Sequence, residues 1–216
     1  RPINRRNIEL KLHQNRELVL LLKDDFYFDE FLEFVIVVHS KISQLDELNS
    51  PLSFVKTVND WLEFFNPSSS DSLSDSVVLG LLAELLVLGR LLEDSQPALV
   101  NSQLKGWKGP YHSPKDFQLD NLEIEVKYKN AGKNSVLINS EFQLNVDSLK
   151  PIHLYVVTGN RNNIGVSLSG LNTRIRSLVS QAGGDIGIYF KALLKYGLNQ
   201  QNISDYNDIK VMFSNI

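Results

Sequence analysis

Residues 122–129, LEIEVKYK, alternate strictly between apolar and charged side chains: Leu122, Ile124, Val126 and Tyr128 interleave with Glu123, Glu125, Lys127 and Lys129. A period of two is the pattern of a half-buried strand, with one face in a core and the other toward polar surroundings. Immediately upstream, Asp120-Asn121 supplies two residue types that tolerate turn backbone, so the segment predicts a β-hairpin. With that pair at the tip, Leu119 faces Leu122, Gln118 faces Glu123, Phe117 faces Ile124 and Asp116 faces Glu125. Two carboxylates then stand opposite each other, with Lys127 two residues along on the same face. Like charges facing across a sheet destabilise it. A divalent cation bound between them would lift that repulsion.

The rest of the composition narrows the chemistry. The chain has 216 residues, 43% hydrophobic and 22% charged, the balance of a globular protein with room for a substantial core. It contains no cysteine, which removes disulfides and thiolate metal sites. His13, His39, His112 and His153 are scattered, so a metal here is expected on oxygen ligands, which favours Mg²⁺ or Mn²⁺. A net charge of −3 does not advertise a nucleic-acid binder, but local charge counts for more than the total. Six lysines (Lys105, Lys108, Lys115, Lys127, Lys129 and Lys133) surround the paired carboxylates. Lysines so placed supply the sequence-independent part of phosphate binding, and a solvated lysine-bearing hairpin is the alternative. The longest apolar run, residues 77–92, is interrupted by Glu84 and Arg90 and falls short of the roughly 20 residues a bilayer requires. No signal peptide is visible, the first residue is Arg1 rather than Met, and the expectation is a cytoplasmic protein with residues missing ahead of it.

Along the chain, residues 7–13 and 17–23 predict a strand pair. Phe28, Phe31, Leu32, Val35, Val38 and Ile42 recur at helical spacing, and a second helix is expected from Ser50-Pro51 through Phe65. A Ser/Asn/Pro-rich stretch, residues 66–72, then separates an N-terminal α+β portion, 1–66, from a core over 73–216. The core opens on a helix capped near Ser74 or Asp75 and reaching about Glu93. After the hairpin, a third strand is expected over 135–139, a short helix from Ser140, and a fourth strand over 152–158. Helices near 167–180 and 185–197 and a closing strand over 209–213 complete the prediction. The fold class is therefore α/β (α+β), a central mixed sheet flanked by helices.

Glu84 stands out because its helix is otherwise nearly apolar. Ser76, Gly80, Ala83, Glu84, Val87, Arg90 and Asp94 share one sector. Either this is a solvent-facing stripe, or Gly80 and Ala83 admit another element and Glu84 points into a site. A carboxylate taken out of water requires a charged or hydrogen-bonding partner.

The order Glu84 on a helix, Asp116, Glu125-x-Lys127, then Gln143 resembles the PD-(D/E)XK nuclease superfamily, the restriction-endonuclease-like fold. The strings GLLAEL, GWKGP, DF, IEVK and INSEFQL resemble, more narrowly, bacterial PD-(D/E)XK motif proteins encoded beside methyltransferase and helicase genes in restriction or phage-defence clusters. The likeness runs from about Phe28 through Thr158, and Lys115 stands directly before Asp116, with Pro114 one residue earlier. The resemblance implies that Asp116 and Glu125 bind Mg²⁺ or Mn²⁺, with Glu84 completing the metal shell directly or through water. It implies that Lys127 orients the attacking water or stabilises charge on the phosphate, and that Gln143 positions substrate or the lysine. Lys108, Lys115, Lys129 and Trp107 are candidate substrate contacts, although a Trp in a Gly/Pro loop also reads as a packing anchor. The implied activity is DNA phosphodiester hydrolysis, with methyltransferase or helicase subunits and a second copy as partners. A catalytically idle nuclease fold that binds nucleic acid or scaffolds a complex is the other reading.

Overall fold

The structure, a computed structural model, describes residues 3–14, 17–43, 45–46, 49–62, 64–65, 72–138 and 150–215. It divides into two units, Arg1–Ser69 and Ser70–Ile216.

The first unit joins a three-stranded antiparallel sheet to two helices. Strands β1 (Ile3–Asn4), β2 (Ile8–Leu12) and β3 (Leu18–Leu22) pair in sequence order, with Leu10 opposite Leu20. Helix α1 (Phe28–Ile42) follows a 3-10 turn capped by Asp24, whose carboxylate accepts from the Phe26 amide at 3.1 Å. Helix α2 (Ser50–Leu62) carries Pro51 in its first turn, where the missing N–H costs nothing. Tyr27, Phe34, Trp61, Phe64 and Phe65 form a buried aromatic core of mostly edge-on rings 5–7 Å apart at the centroids. Asn7 ties the sheet to it by donating to the Phe65 carbonyl at 2.8 Å.

The second unit is built on a four-stranded mixed sheet in the order β4 (Phe117–Gln118), β5 (Glu123–Asn130), β6 (Ile152–Val166) and β7 (Val211–Asn215). The β4–β5 and β6–β7 pairs are antiparallel, and β5 lies parallel to β6, with Glu125 opposite Leu154. The hairpin has the expected register: Phe117 pairs with Ile124, Gln118 with Glu123, and the Leu119 amide donates to the Leu122 carbonyl. Helix α3 (Asp75–Glu93) packs against β5 and against α5 (Leu168–Gln181). Its side chains are buried from Leu81 through Leu88, because nearly every residue there is apolar. Helices α4 (Val100–Gly106) and α6 (Ile186–Lys195) complete the six α-helices of the described residues. This second unit is an α+β core with helices packed on a mixed sheet.

Two expectations fail here. Residues 135–138 form no strand, and Leu137 is 77% exposed. After β5 the chain turns at Asn130, whose side chain accepts from the Gly132 amide, and the Ala131 amide is drawn to Gly159 of β6. The β-favouring run therefore finds no partner strand, without which propensity alone does not hold a strand. Asn139 and the helix expected from Ser140 lie outside the described residues. Gly80 is not a point of close approach either, since a Cβ there would meet nothing within 4 Å. No helix of the described residues is long and apolar enough to cross a membrane.

Candidate functional site

The hairpin, α3 and the loop between α4 and β4 bring Glu84, Asp116, Glu125 and Lys127 into one electrostatically coupled cluster. Alternation along β5 determines what each residue does. Ile124 and Val126 are buried in the core, while Glu125 and Lys127 point to the opposite face. There the Lys127 ammonium lies 2.6 Å from Glu125 Oε1. The expected pairing of Asp116 with Glu125 is not part of the ladder: Asp116 stands just ahead of β4, because its side chain turns to the sheet backbone. Its Oδ2 accepts from the Val126 amide at 2.7 Å, and its carbonyl accepts from the Lys108 and Gly109 amides at 2.6 and 3.0 Å. The aspartate is thus fastened at its side chain to β5 and at its main chain to the loop.

Burial is the dominant influence on all three acids. It raises the Glu125 carboxyl above its ordinary value, with the Asp116 charge adding to the rise and Lys127 and Lys115 opposing it. Asp116 is raised by burial as well, against the Val126 amide and Lys127. Glu84 is pushed up to about 8 by burial and then by the Asp116 charge, despite hydrogen bonds from Trp107 and Tyr196. Those bonds are specific: Trp107 Nε1 donates to Oε2 at 2.7 Å, and the Tyr196 hydroxyl reaches Oε1 at 3.2 Å and Oε2 at 3.4 Å. The middle of the Glu84 stripe, with Ala83 and Val87, is therefore packed inside the unit and is not solvent-facing.

The other expected residues differ in where they lie. Lys129 and Lys108 are half-buried, the first two residues beyond Lys127 on the same face of β5 and the second bonded through its amide to Asp116. Lys115 is buried and acts on the Glu125 charge. Trp107 is fully buried, stacked against Tyr189 and Tyr196 at 28° interplanar angles, so its ring is not presented to a base and the packing-anchor reading applies. Gln143 lies outside the described residues. Two participants were missed from sequence. Tyr196 gives no local signal, being 112 positions from the carboxylate it meets. Gly109 was visible only as a loop glycine, yet a Cβ there would overlap Glu84 Oε2 and lie 3.0 Å from Glu84 Cδ.

A divalent cation fits part of this donor set. Asp116 and Glu125 each commit one oxygen to a protein partner and have a second, and burial raises both carboxyls by more than the nearby lysines offset, so a divalent charge would favour their ionised forms. Glu84 fits less well as a direct ligand than Asp116 or Glu125, because both its oxygens already accept from Trp107 or Tyr196. In keeping with this, no group of three or more His, Cys, Asp or Glu side chains among the described residues is arranged to hold a metal ion by itself.

A helix carrying a buried acid, packed on a hairpin that presents Asp and Glu-x-Lys on a mixed sheet, defines a nuclease-like fold of the PD-(D/E)XK kind. A family model described as "Putative PD-(D/E)XK family member, (DUF4420)" matches residues 3–216, and the chain belongs to this family. Neither the curated proteins nor the solved structures give a match.

Proposed function

We propose that this chain is a cytoplasmic, metal-dependent DNA endonuclease that hydrolyses phosphodiester bonds, serving as the nuclease component of a restriction or phage-defence system. The observation that carries the reading is the meeting of Asp116, Glu125 and Lys127 on one face of the hairpin, with Lys127 Nζ 2.6 Å from Glu125. Asp116 and Glu125 are the residues that would hold Mg²⁺ or Mn²⁺, the bond from the Val126 amide fixing the Asp116 carboxylate. When bound, the cation supplies Lewis acidity, lowering the pKa of a water and offsetting phosphate charge. Lys127 orients the nucleophilic water and stabilises negative charge that grows on the phosphate. Lys129 and Lys108 attract the nucleic-acid backbone through charge, and Gln143 positions substrate or Lys127. Methyltransferase or helicase subunits and a second copy of the chain are the partners this reading calls for.

The second reading is a catalytically idle nuclease fold that binds nucleic acid or scaffolds a complex, favoured by the commitment of Glu84 to Trp107 and Tyr196. Supercoiled plasmid and phage DNA incubated with Mg²⁺ or EDTA, using wild type and Asp116→Ala, separate the two. Mg²⁺-dependent nicking lost in the variant supports the endonuclease. Cleavage that survives Asp116→Ala removes this site from consideration, and DNA binding without cleavage in any metal supports the idle fold.

A further inference from the structure

We infer that Glu84 is a positioning residue that clamps the 106–111 loop and through it fixes Asp116, rather than a ligand of the cation. The inference rests on the nuclease reading only for what Asp116 is held ready to do. The clamp itself is built from contacts within the protein.

The Glu84 carboxylate receives two donors from different parts of the chain, the indole N–H of Trp107 at 2.7 Å and the Tyr196 hydroxyl at 3.2 Å. The Trp107 ring is completely buried and lies against Tyr189 and Tyr196, so its N–H has no route to water if Glu84 withdraws. A buried donor left without an acceptor carries the full desolvation penalty. For Glu84 to turn Oε2 onto a cation it would have to give up that donor, and to turn Oε1 it would have to displace the Tyr196 hydroxyl. Sterics point the same way. Gly109 lies so close to the carboxylate that any side chain there would collide with Oε2, so carboxylate and loop are packed as one piece.

The loop transmits this fixation to Asp116. Lys108 and Gly109, the two residues after the clamped indole, both donate their amides to the Asp116 carbonyl. Trp107 also bridges Phe117, the first residue of β4. Asp116 therefore sits between a hydrogen bond to the sheet at Val126 and a pair of hydrogen bonds from a loop that Glu84 holds shut. What Glu84 contributes to the site is the placement of another acid.

Amide hydrogen exchange on the whole chain tests this, with Glu84→Ala, Glu84→Gln and Tyr196→Phe beside wild type. Glutamine keeps an acceptor for the indole, whereas alanine does not. Glu84→Ala is expected to speed exchange at the Lys108 and Gly109 amides about tenfold or more, leaving α5 amides unchanged, while Glu84→Gln holds them within about threefold. Tyr196→Phe keeps the ring stack and loses one donor, so its exchange should lie between the two, which preserves the test if Glu84→Ala fails to fold. Mn²⁺ titration of the same proteins supplies the second readout. Glu84→Gln should bind Mn²⁺ within about threefold of wild type and Glu84→Ala at least about tenfold more weakly, differences of roughly one hydrogen bond. Unchanged Lys108 and Gly109 exchange in Glu84→Ala, or a glutamine variant as damaged as the alanine one in either readout, overturns the clamp. A wild type that binds no Mn²⁺ ends the nuclease reading instead, and the exchange pattern still decides whether the clamp exists.

Discussion

Glu84→Gln should remove a large pH dependence from the stability of this protein. In the folded chain the Glu84 carboxyl is pushed up to about 8 from an ordinary 4.5, first by burial and then by the Asp116 charge. Between these values the folded protein keeps a proton that the unfolded chain has released. Unfolding therefore sheds a proton, and stability falls as pH rises through the window. Each pH unit well inside it costs about 1 kcal/mol or slightly more, so between pH 5 and pH 8 the Glu84 contribution is on the order of several kcal/mol. Glutamine retains an acceptor for Trp107 Nε1 and cannot ionise, so the variant should lack this component. Asp116 and Glu125 are raised as well and tilt both proteins in the same direction, which makes the difference between the two curves the informative quantity. Urea unfolding of both proteins in EDTA, at half-unit steps from pH 5 to pH 8.5, measures it. At pH 8 the variant should be the more stable by a margin of several kcal/mol relative to the comparison at pH 5. Parallel curves would show that Glu84 is ionised in the folded protein at neutral pH and would refute the electrostatic account of the site.

Three further outcomes are expected. Gly109→Ala should destabilise the second unit by about 1–3 kcal/mol, the usual range for forced overpacking, because the new methyl overlaps the Glu84 carboxylate; calorimetric melting checks it. Millimolar Mg²⁺ or Mn²⁺ should raise the melting temperature of wild type and leave that of Asp116→Ala unmoved, since binding to the folded state alone stabilises it; equal shifts in both would place the cation elsewhere. Phe34→Ala should cost about 3–5 kcal/mol in denaturant titrations, because a ring that is fully buried among Trp61, Phe65 and Phe31 leaves a cavity its neighbours cannot fill.

Local physics made much of this readable in advance. The alternation of β5 and the Asp120-Asn121 turn gave the hairpin and its register, since both depend only on neighbours in sequence. Helix α3 was legible for the same reason, its apolar run ending at Glu93 as expected. The 135–138 segment was misread because valine, leucine and isoleucine in a row report a tendency to extend, whereas a strand exists only where an edge is offered to it. Glu84 was recognisable as anomalous, but not its partners: Tyr196 arrives from beyond α6, and nothing near it in sequence marks it as an acceptor's partner. From sequence, Trp107 reads either as a ring that stacks on substrate or as the anchor of a loop. The answer lies in Tyr189 and Tyr196, which cover its faces and which no spacing rule links to it.

Tyr196 also sets a timetable for synthesis. The ribosome delivers α3 more than a hundred residues before the hydroxyl that Glu84 meets, so an emerging chain carries that acid with only the indole to receive it. Until α6 has left the exit tunnel the acid cluster lacks one of its walls, and a half-made chain holds Glu84 by a single donor.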